Sequence, residues 1–113
     1  MRRTYLDACV LIELARSHPT RAIQVLRVIE DPEREFVGSV FLRMELIPKA
    51  IYNGYAAEAQ IYEEFFDSCT AESQGSEELL ALALAEAVAH GLGAVDAMHV
   101  AAAESLDVDE LVT

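Results

Sequence analysis

Three acidic residues stand in apolar stretches of this sequence, each near the start of a predicted helix. Asp7 follows the run Thr4–Leu6, Glu45 lies in a largely apolar helix, and Asp96 precedes a stretch rich in Ala, Val and Met. A carboxylate in such surroundings is costly unless it is paired or binds a cation. Taken alone, Asp7 is explained as a turn or N-cap residue, Glu45 as a solvated residue, and Asp96 as a charge that complements the helix dipole.

A divalent cation would explain all three acids together. Three converging carboxylates repel one another and raise one another's pKa, and a bound ion removes that conflict. Mg²⁺ and Mn²⁺ prefer oxygen ligands and keep several waters, which suits the activation of a water against a phosphodiester. The three acids therefore predict metal-assisted phosphodiester hydrolysis.

The elements that must position these acids alternate between short apolar runs and longer helical stretches. Strands are predicted at Thr4–Leu6, Phe36–Val37 and Leu111–Val112, with a further short strand around Cys69–Thr70. Helices are predicted from Cys9 to near Ser17, from Thr20 to the break at Asp31-Pro32, and over Val40–Pro48, Ala56–Ser68, Glu77–His90 and Ala94–Ser105. This alternation is typical of a parallel sheet covered by helices, in which ligands bind at the carboxyl ends of the strands.

Local signals predict where several helices begin, end and face the core. Ser39 is the natural N-cap of the third helix, and Pro48 is expected to end or kink it. His18 and His90 are expected to cap helix ends. The residues predicted to face inward are Phe41 and Met44 in the third helix and Ile23, Leu26 and Ile29 in the second.

Length and composition favour a folded domain that spans residues 1–113. Hydrophobic residues make up 53% of the chain and charged residues 25%, which excludes a disordered protein. The net charge is −12, and all eight Lys and Arg residues lie within the first 49 positions. Nucleic-acid binding through many Lys and Arg contacts to phosphates is therefore excluded. Activity on phosphates would need a local source of positive charge, such as a bound metal ion.

The cysteines and the apolar runs predict a soluble cytoplasmic protein. Cys9 and Cys69 form neither a disulfide framework nor a zinc-binding spacing. No run has the length of a signal peptide or a membrane span, because Glu86 interrupts the apolar stretch Leu79–Ala89.

Four segments together resemble the PIN-domain nucleases. Tyr5–Ile12 resembles their opening strand and turn, and Gly38–Glu45 resembles their second block, in which a Ser precedes a helix that carries a Glu. Asp96–Ala103 resembles the third block, and Asp109–Thr113 resembles the strand that follows it. The four segments occur in the family's order and extend over nearly the whole chain.

The resemblance implies a PIN-like α/β/α sandwich with a short, mainly parallel central sheet. It also implies a ribonuclease that depends on Mg²⁺ or Mn²⁺, commonly the toxin of a bacterial or archaeal toxin–antitoxin pair. RNA would be the substrate and an antitoxin protein the partner. By position, Asp7, Glu45 and Asp96 match the family's catalytic, metal-binding acids.

Two departures from the family pattern leave alternatives open. Cys9 stands where the family often has Ser, Thr or Asn, and the family's last acid usually follows the final strand in a Thr-x-Asp pattern, which would fall beyond Thr113. Either the single domain is cut short at its C-terminal end, or the protein works with three acids or is inactive. The main alternative to a nuclease is a catalytically degraded PIN-like module that binds other proteins. A less favoured alternative is a phosphatase or phosphoacceptor domain with Asp7 as the nucleophile.

Further residues are weaker candidates for substrate binding. They are Ser39, Arg16, Arg43 and His99. The ordinary alternatives are that Ser39 is an N-cap, that both arginines are solvated, and that His99 packs in the interior. The apolar sides of the first two helices and of Ala56–Phe66 exceed what a core of this size can cover. One of these faces is therefore predicted to form a homodimer or to bind an antitoxin segment.

Overall fold

In the computed structural model, which describes residues 1–16 and 19–113, four strands alternate with six helices. The elements are β1 (Arg2–Leu6), α1 (Ala8–Arg16), α2 (Pro19–Ile29), β2 (Arg34–Ser39), α3 (Val40–Tyr52), α4 (Ala56–Ser68), β3 (Ala71–Ser73), α5 (Glu77–His90), α6 (Ala94–Ser105) and β4 (Glu110–Val112). The predicted helices are all present. The predicted capping role of His18 lies outside the described residues.

The strands form one parallel sheet in the order β3-β2-β1-β4. Thr4 of β1 pairs with Phe36 of β2 on one side and with Glu110 of β4 on the other. Because the strands are parallel, the chain leaves β1, β2 and β4 at the same edge of the sheet. The predicted α/β class is confirmed.

The strand expected at Cys69–Thr70 begins instead at Ala71. Cys69 is still the C-cap of α4, and its N–H donates to the carbonyl of Phe66 at 3.1 Å. Thr70 makes the first backbone contact with the sheet, since its N–H donates to the carbonyl of Phe36 in β2 at 2.9 Å, and β3 follows directly.

Two hydrophobic cores lie on opposite faces of the sheet, as period-2 alternation along the strands requires. Leu6 and Phe36 pack into one core with residues of α1, α3 and α4. Tyr5 and Val37 pack into the other with residues of α5 and α6. The result is the predicted PIN-like α/β/α sandwich.

Helix α6 lies close to the sheet because its inward residues are small. The buried residues of α6 are Ala97, His99, Ala101, Ala102 and Ala103. Four of these five are alanines, which offer little volume and pack with Tyr5 and Val37 in the second core. His99 is thereby carried into the interior, where its polar atoms require partners.

The predicted inward face of α3 is wrong for Met44, whereas Phe41 is partly buried and packs against the second core. In α3 the buried residues are Leu42, Leu46 and Ala50, whereas Met44 is 68% exposed. α3 also continues through Pro48 to Tyr52, because Leu46 and Ala50 are buried on either side of the proline and hold both turns against the core.

The residues of α2 that are predicted to face inward are largely exposed. Ile23 and Leu26 are 50% and 38% exposed, and only Ile29 of the three is part of the first core's margin. The reason is that α2 packs mainly on α1 rather than on the sheet, so that less of the apolar side of α2 is covered.

Within the described part of the chain, no single helix is long and apolar enough to cross a membrane. Helices α5 and α6 reach that length and composition together, but they bend by 117° at their junction.

A cluster of charges ties β4 to the centre of the sheet. The Glu110 carboxylate accepts hydrogen bonds from the Thr4 hydroxyl at 2.7 Å and from Arg34 Nε at 2.6 Å. Arg34 also pairs with Asp31 at 3.2 Å, next to the start of β2. The hydrogen bonds from Thr4 and Arg34 lower the pKa of the Glu110 carboxyl group.

We expect Glu110→Gln to lower the free energy of unfolding by about 1 kcal/mol at pH 7. A carboxyl whose pKa is lowered by folding stabilises the protein above its unfolded pKa and loses that effect as the pH falls through the folded value. The difference between the two proteins should therefore shrink from about pH 5 downward, as urea denaturation would show. Glu33→Gln, at an exposed carboxylate, is the control. A difference that stays constant with pH would contradict this account.

Candidate active site

Asp7 leaves β1 at the carboxyl edge of the sheet and is held there by its backbone. Its N–H donates to the carbonyl of Val112 at 2.9 Å, and its carbonyl accepts the N–H of Val10 at 3.1 Å. These bonds fix the residue between the end of β4 and the start of α1. The half-buried carboxylate stands at the predicted position.

Glu45 reaches the same edge from α3. Ser39 caps this helix, since its Oγ accepts the N–H of Leu42 at 3.1 Å, which confirms the N-cap prediction. Leu42 and Leu46 are buried and set the rotation of the helix, so the exposed Glu45 lies beside its inward face. Its Oε1 lies 3.2 Å from Nε2 of His99.

His99 connects this edge to the interior. The side chain is only 5% exposed, and its Nδ1 lies 2.6 Å from the Tyr5 hydroxyl. That hydroxyl also lies 2.6 Å from Oγ of Ser39. Burial raises the pKa of the Tyr5 phenol far above its ordinary value, so the side chain remains a neutral hydroxyl.

Three potential metal ligands converge at this edge. One carboxylate oxygen each from Asp7 and Glu45 and one ring nitrogen of His99 all lie within 4.8 Å of one another. Carboxylate oxygens are ligands that Mg²⁺ and Mn²⁺ prefer, and an imidazole beside them can either join them as a ligand or hold a carboxylate in place. The donor set therefore fits the predicted cofactor.

Asp96 does not belong to this group of three. It is exposed in the first turn of α6, three residues before His99. The structure thus brings two of the three predicted acids together and adds His99, which the sequence suggested only as a substrate-side residue. The sequence does not point to Tyr5 as a site residue, and the one available signal is a hydroxyl two residues before Asp7 in an apolar strand.

The two candidate arginines are both engaged with carboxylates. Arg16 forms a two-point ion pair with Glu58, which is 8% exposed, and this pairing lowers the pKa of the Glu58 carboxyl group. Arg43 Nε donates to Glu72 of β3 at 2.7 Å, and its guanidinium lies 4.4 Å from the ring centre of Phe66. Both arginines therefore hold structural contacts in this state.

Comparison with known proteins identifies the family. The PIN domain model matches residues 4–113. The chain belongs to the PIN domain family. A solved toxin–antitoxin complex from Klebsiella pneumoniae contains a chain similar to this PIN domain, with a TM-score of 0.71 and 22% sequence identity. The alignment covers 97% of this chain and 84% of that one. None of the curated proteins matches the sequence.

We expect Arg43→Ala to lower the free energy of unfolding by about 1–2 kcal/mol, since it removes a charged hydrogen bond and a cation–π contact. Urea denaturation measures the change, and Arg27→Ala, at an exposed arginine on α2, is the matched control. Unchanged stability in Arg43→Ala would show that these contacts contribute nothing and would leave a substrate role as its explanation.

Proposed function

We propose that this PIN domain is an endoribonuclease that hydrolyses RNA phosphodiester bonds with Mg²⁺ or Mn²⁺. PIN domains are generally nucleases, which supports hydrolysis of phosphodiester bonds as the reaction. The observation that carries the proposal is the convergence of Asp7, Glu45 and His99 within 4.8 Å at the carboxyl edge of the sheet. That edge is where open α/β sheets bind their ligands.

Asp7, Glu45 and Asp96 are the proposed metal-binding residues, with Asp96 contributed by the first turn of α6. A divalent ion held there would offset the charge of the phosphodiester and lower the pKa of an attacking water. Asp7 is fixed by strand pairing and Glu45 by a capped helix, so both carboxylates are presented from rigid elements. Asp96 is exposed in the first turn of α6, on the helix that also carries His99.

The charge distribution favours local contact with the substrate. Six basic residues pair with acids in the described part of the chain, namely Arg2, Arg3, Arg16, Arg21, Arg34 and Arg43. Few cations thus remain for the phosphates of a long RNA. A metal ion bound by Asp7 and Glu45 would supply the positive charge for phosphate contact that the basic side chains do not.

An apolar groove beside Glu45 supports a substrate that carries bases. Phe41, Met44, Val95 and Met98 line it together with Glu45. Met44 is 68% exposed and Val95 is 45% exposed. A base next to the scissile phosphate can pack against such side chains with little sequence preference. We therefore propose single-stranded RNA as the substrate.

We further propose that the protein is the toxin of a toxin–antitoxin pair. The likeness to a chain of a toxin–antitoxin complex supports this role. A mostly apolar groove between α1, α2 and α4 offers a site for an apolar segment of the antitoxin, and its lining includes Leu14, Leu26, Ile29, Ile61 and Phe65. A second copy of the chain is the alternative occupant, and light scattering of the isolated protein distinguishes a homodimer from a monomer.

Cleavage of a labelled RNA tests the enzymatic proposal. Wild-type protein should cleave with Mn²⁺ or Mg²⁺ and stop when EDTA is added. Asp7→Asn should lower the rate by at least about 100-fold, beyond the roughly 10–100-fold typical of residues that only support a metal ligand. Asp67→Asn, at an exposed acid on α4, removes the same charge and should cleave normally.

The same variants test the toxin proposal when they are expressed in a bacterial host. The wild type and Asp67→Asn should slow growth, and Asp7→Asn should not. Equal cleavage by wild type and Asp7→Asn, or cleavage that survives EDTA, would contradict the metal-dependent mechanism. No cleavage by the wild type under any of these conditions would favour the catalytically degraded alternative.

A further inference from the structure

Four side chains from separate elements form one hydrogen-bonded chain beneath the candidate site. Ser39 Oγ and Nδ1 of His99 each lie 2.6 Å from the Tyr5 hydroxyl, and Nε2 of His99 lies 3.2 Å from Oε1 of Glu45. Tyr5 and Ser39 are fully buried and His99 nearly so. Only Glu45, at the end of the chain, is exposed.

The direction of these hydrogen bonds follows from the chemistry of the groups. The Glu45 carboxylate can only accept, so Nε2 of His99 donates to it. In a neutral imidazole the other nitrogen is then an acceptor, and the Tyr5 hydroxyl donates to Nδ1. The Ser39 hydroxyl is left to donate to the Tyr5 oxygen, while its Oγ accepts the N–H of Leu42. The buried polar side-chain atoms of Tyr5, Ser39 and His99 thereby all have partners.

We propose that His99 is a positioning residue that holds the Glu45 carboxylate beside Asp7. This inference rests on the proposed function, in which Glu45 binds the metal. A glutamate on an exposed helix surface has several rotatable bonds, and a fixed donor at Nε2 restricts its carboxylate to one place. His99 in turn is held by Tyr5 and Ser39, which have no freedom to move because they are buried.

This role differs from the two other roles open to His99. A substrate-binding histidine needs a free ring nitrogen, whereas both nitrogens here have protein partners. A histidine that ligates the metal needs a lone pair on Nε2, and it would therefore carry its proton on Nδ1. The tautomer of His99 thus separates a positioning role from a ligand role.

The first test is the tautomer of His99 in the wild-type protein, first metal-free and then with saturating Mg²⁺, read from long-range ¹H–¹⁵N NMR spectra at about pH 8.5, where an ordinary imidazole is neutral. The proposal predicts the tautomer with the proton on Nε2. The tautomer with the proton on Nδ1 would overturn it. The metal-free spectrum does not depend on whether the protein binds metal or cleaves RNA, and the spectrum with Mg²⁺ excludes a ligand role if the proton stays on Nε2.

The second test compares two substitutions of His99 that each keep one of its two hydrogen bonds. The amide of glutamine reaches the position of Nε2, whereas that of asparagine reaches the position of Nδ1. His99→Asn should weaken Mn²⁺ binding by about 10-fold or more, as loss of a group that supports a metal ligand typically does. His99→Gln should stay within about 3-fold of the wild type. Electron paramagnetic resonance of free Mn²⁺ measures both affinities.

Tyr5→Phe is a third variant that should keep the fold, because it removes one hydroxyl and keeps the shape of the core. It therefore tests the same hydrogen-bonded chain without the risk of unfolding. It should give a mixture of His99 tautomers and weaken Mn²⁺ binding by a few-fold. Equal losses in His99→Asn and His99→Gln, with Tyr5→Phe unchanged, would show that His99 only packs and would overturn the proposal. A wild-type protein that binds no Mn²⁺ would contradict the proposed function instead, while the tautomer test would still decide the role of His99.

Discussion

Strand β1 lies at the centre of the sheet, hydrogen-bonded in parallel to β2 on one side and to β4 on the other. This pairing buries Thr4, Tyr5 and Leu6 completely and sends alternate side chains into opposite cores. It also fixes the point at which the chain leaves the sheet, so the position of Asp7 is determined by the register. The candidate site depends on this one constraint more than on any other.

The parallel sheet brings Ser39 and Asp7 to one edge, and the two helical layers supply the remaining groups. α3 brings Glu45 from the layer of the first core, and α6 brings His99 from the layer of the second. The small buried residues of α6 let it approach the sheet closely enough for His99 to reach Tyr5. The site is therefore assembled from both faces of the sheet and would be lost if either helical layer shifted.

Charge gives this edge a different character from the rest of the surface. Elsewhere many of the arginines neutralise carboxylates in pairs, such as Arg16 with Glu58 and Arg43 with Glu72. Asp7 and Glu45 form no ion pair with an arginine or lysine of the described chain, and Glu45 has only His99 as its hydrogen-bond donor. An acidic protein with a net charge of −12 is thus compatible with a phosphate-directed activity if a cation supplies the positive charge.

The sequence predicted the α/β class, the six helices and the strand-end position of Asp7, because these follow from local periodicity and from the rules of parallel sheets. The Ser39 cap was also predictable, since a Gly-Ser junction before an apolar helix is a local signal. The face of α3 was not, because Phe41, Leu42, Met44 and Leu46 are all apolar and leave its rotation undetermined. Nor was the contact between Tyr5 and His99, which joins residues 94 positions apart and depends on packing.

The most direct test of a metal-centred site is a crystal structure of the wild-type protein soaked with Mn²⁺, in which anomalous scattering locates the ion. The account predicts a peak within roughly 2.0–2.3 Å of carboxylate oxygens of both Asp7 and Glu45. A peak bound only elsewhere on the surface, or none at these two residues at saturating Mn²⁺, would contradict it.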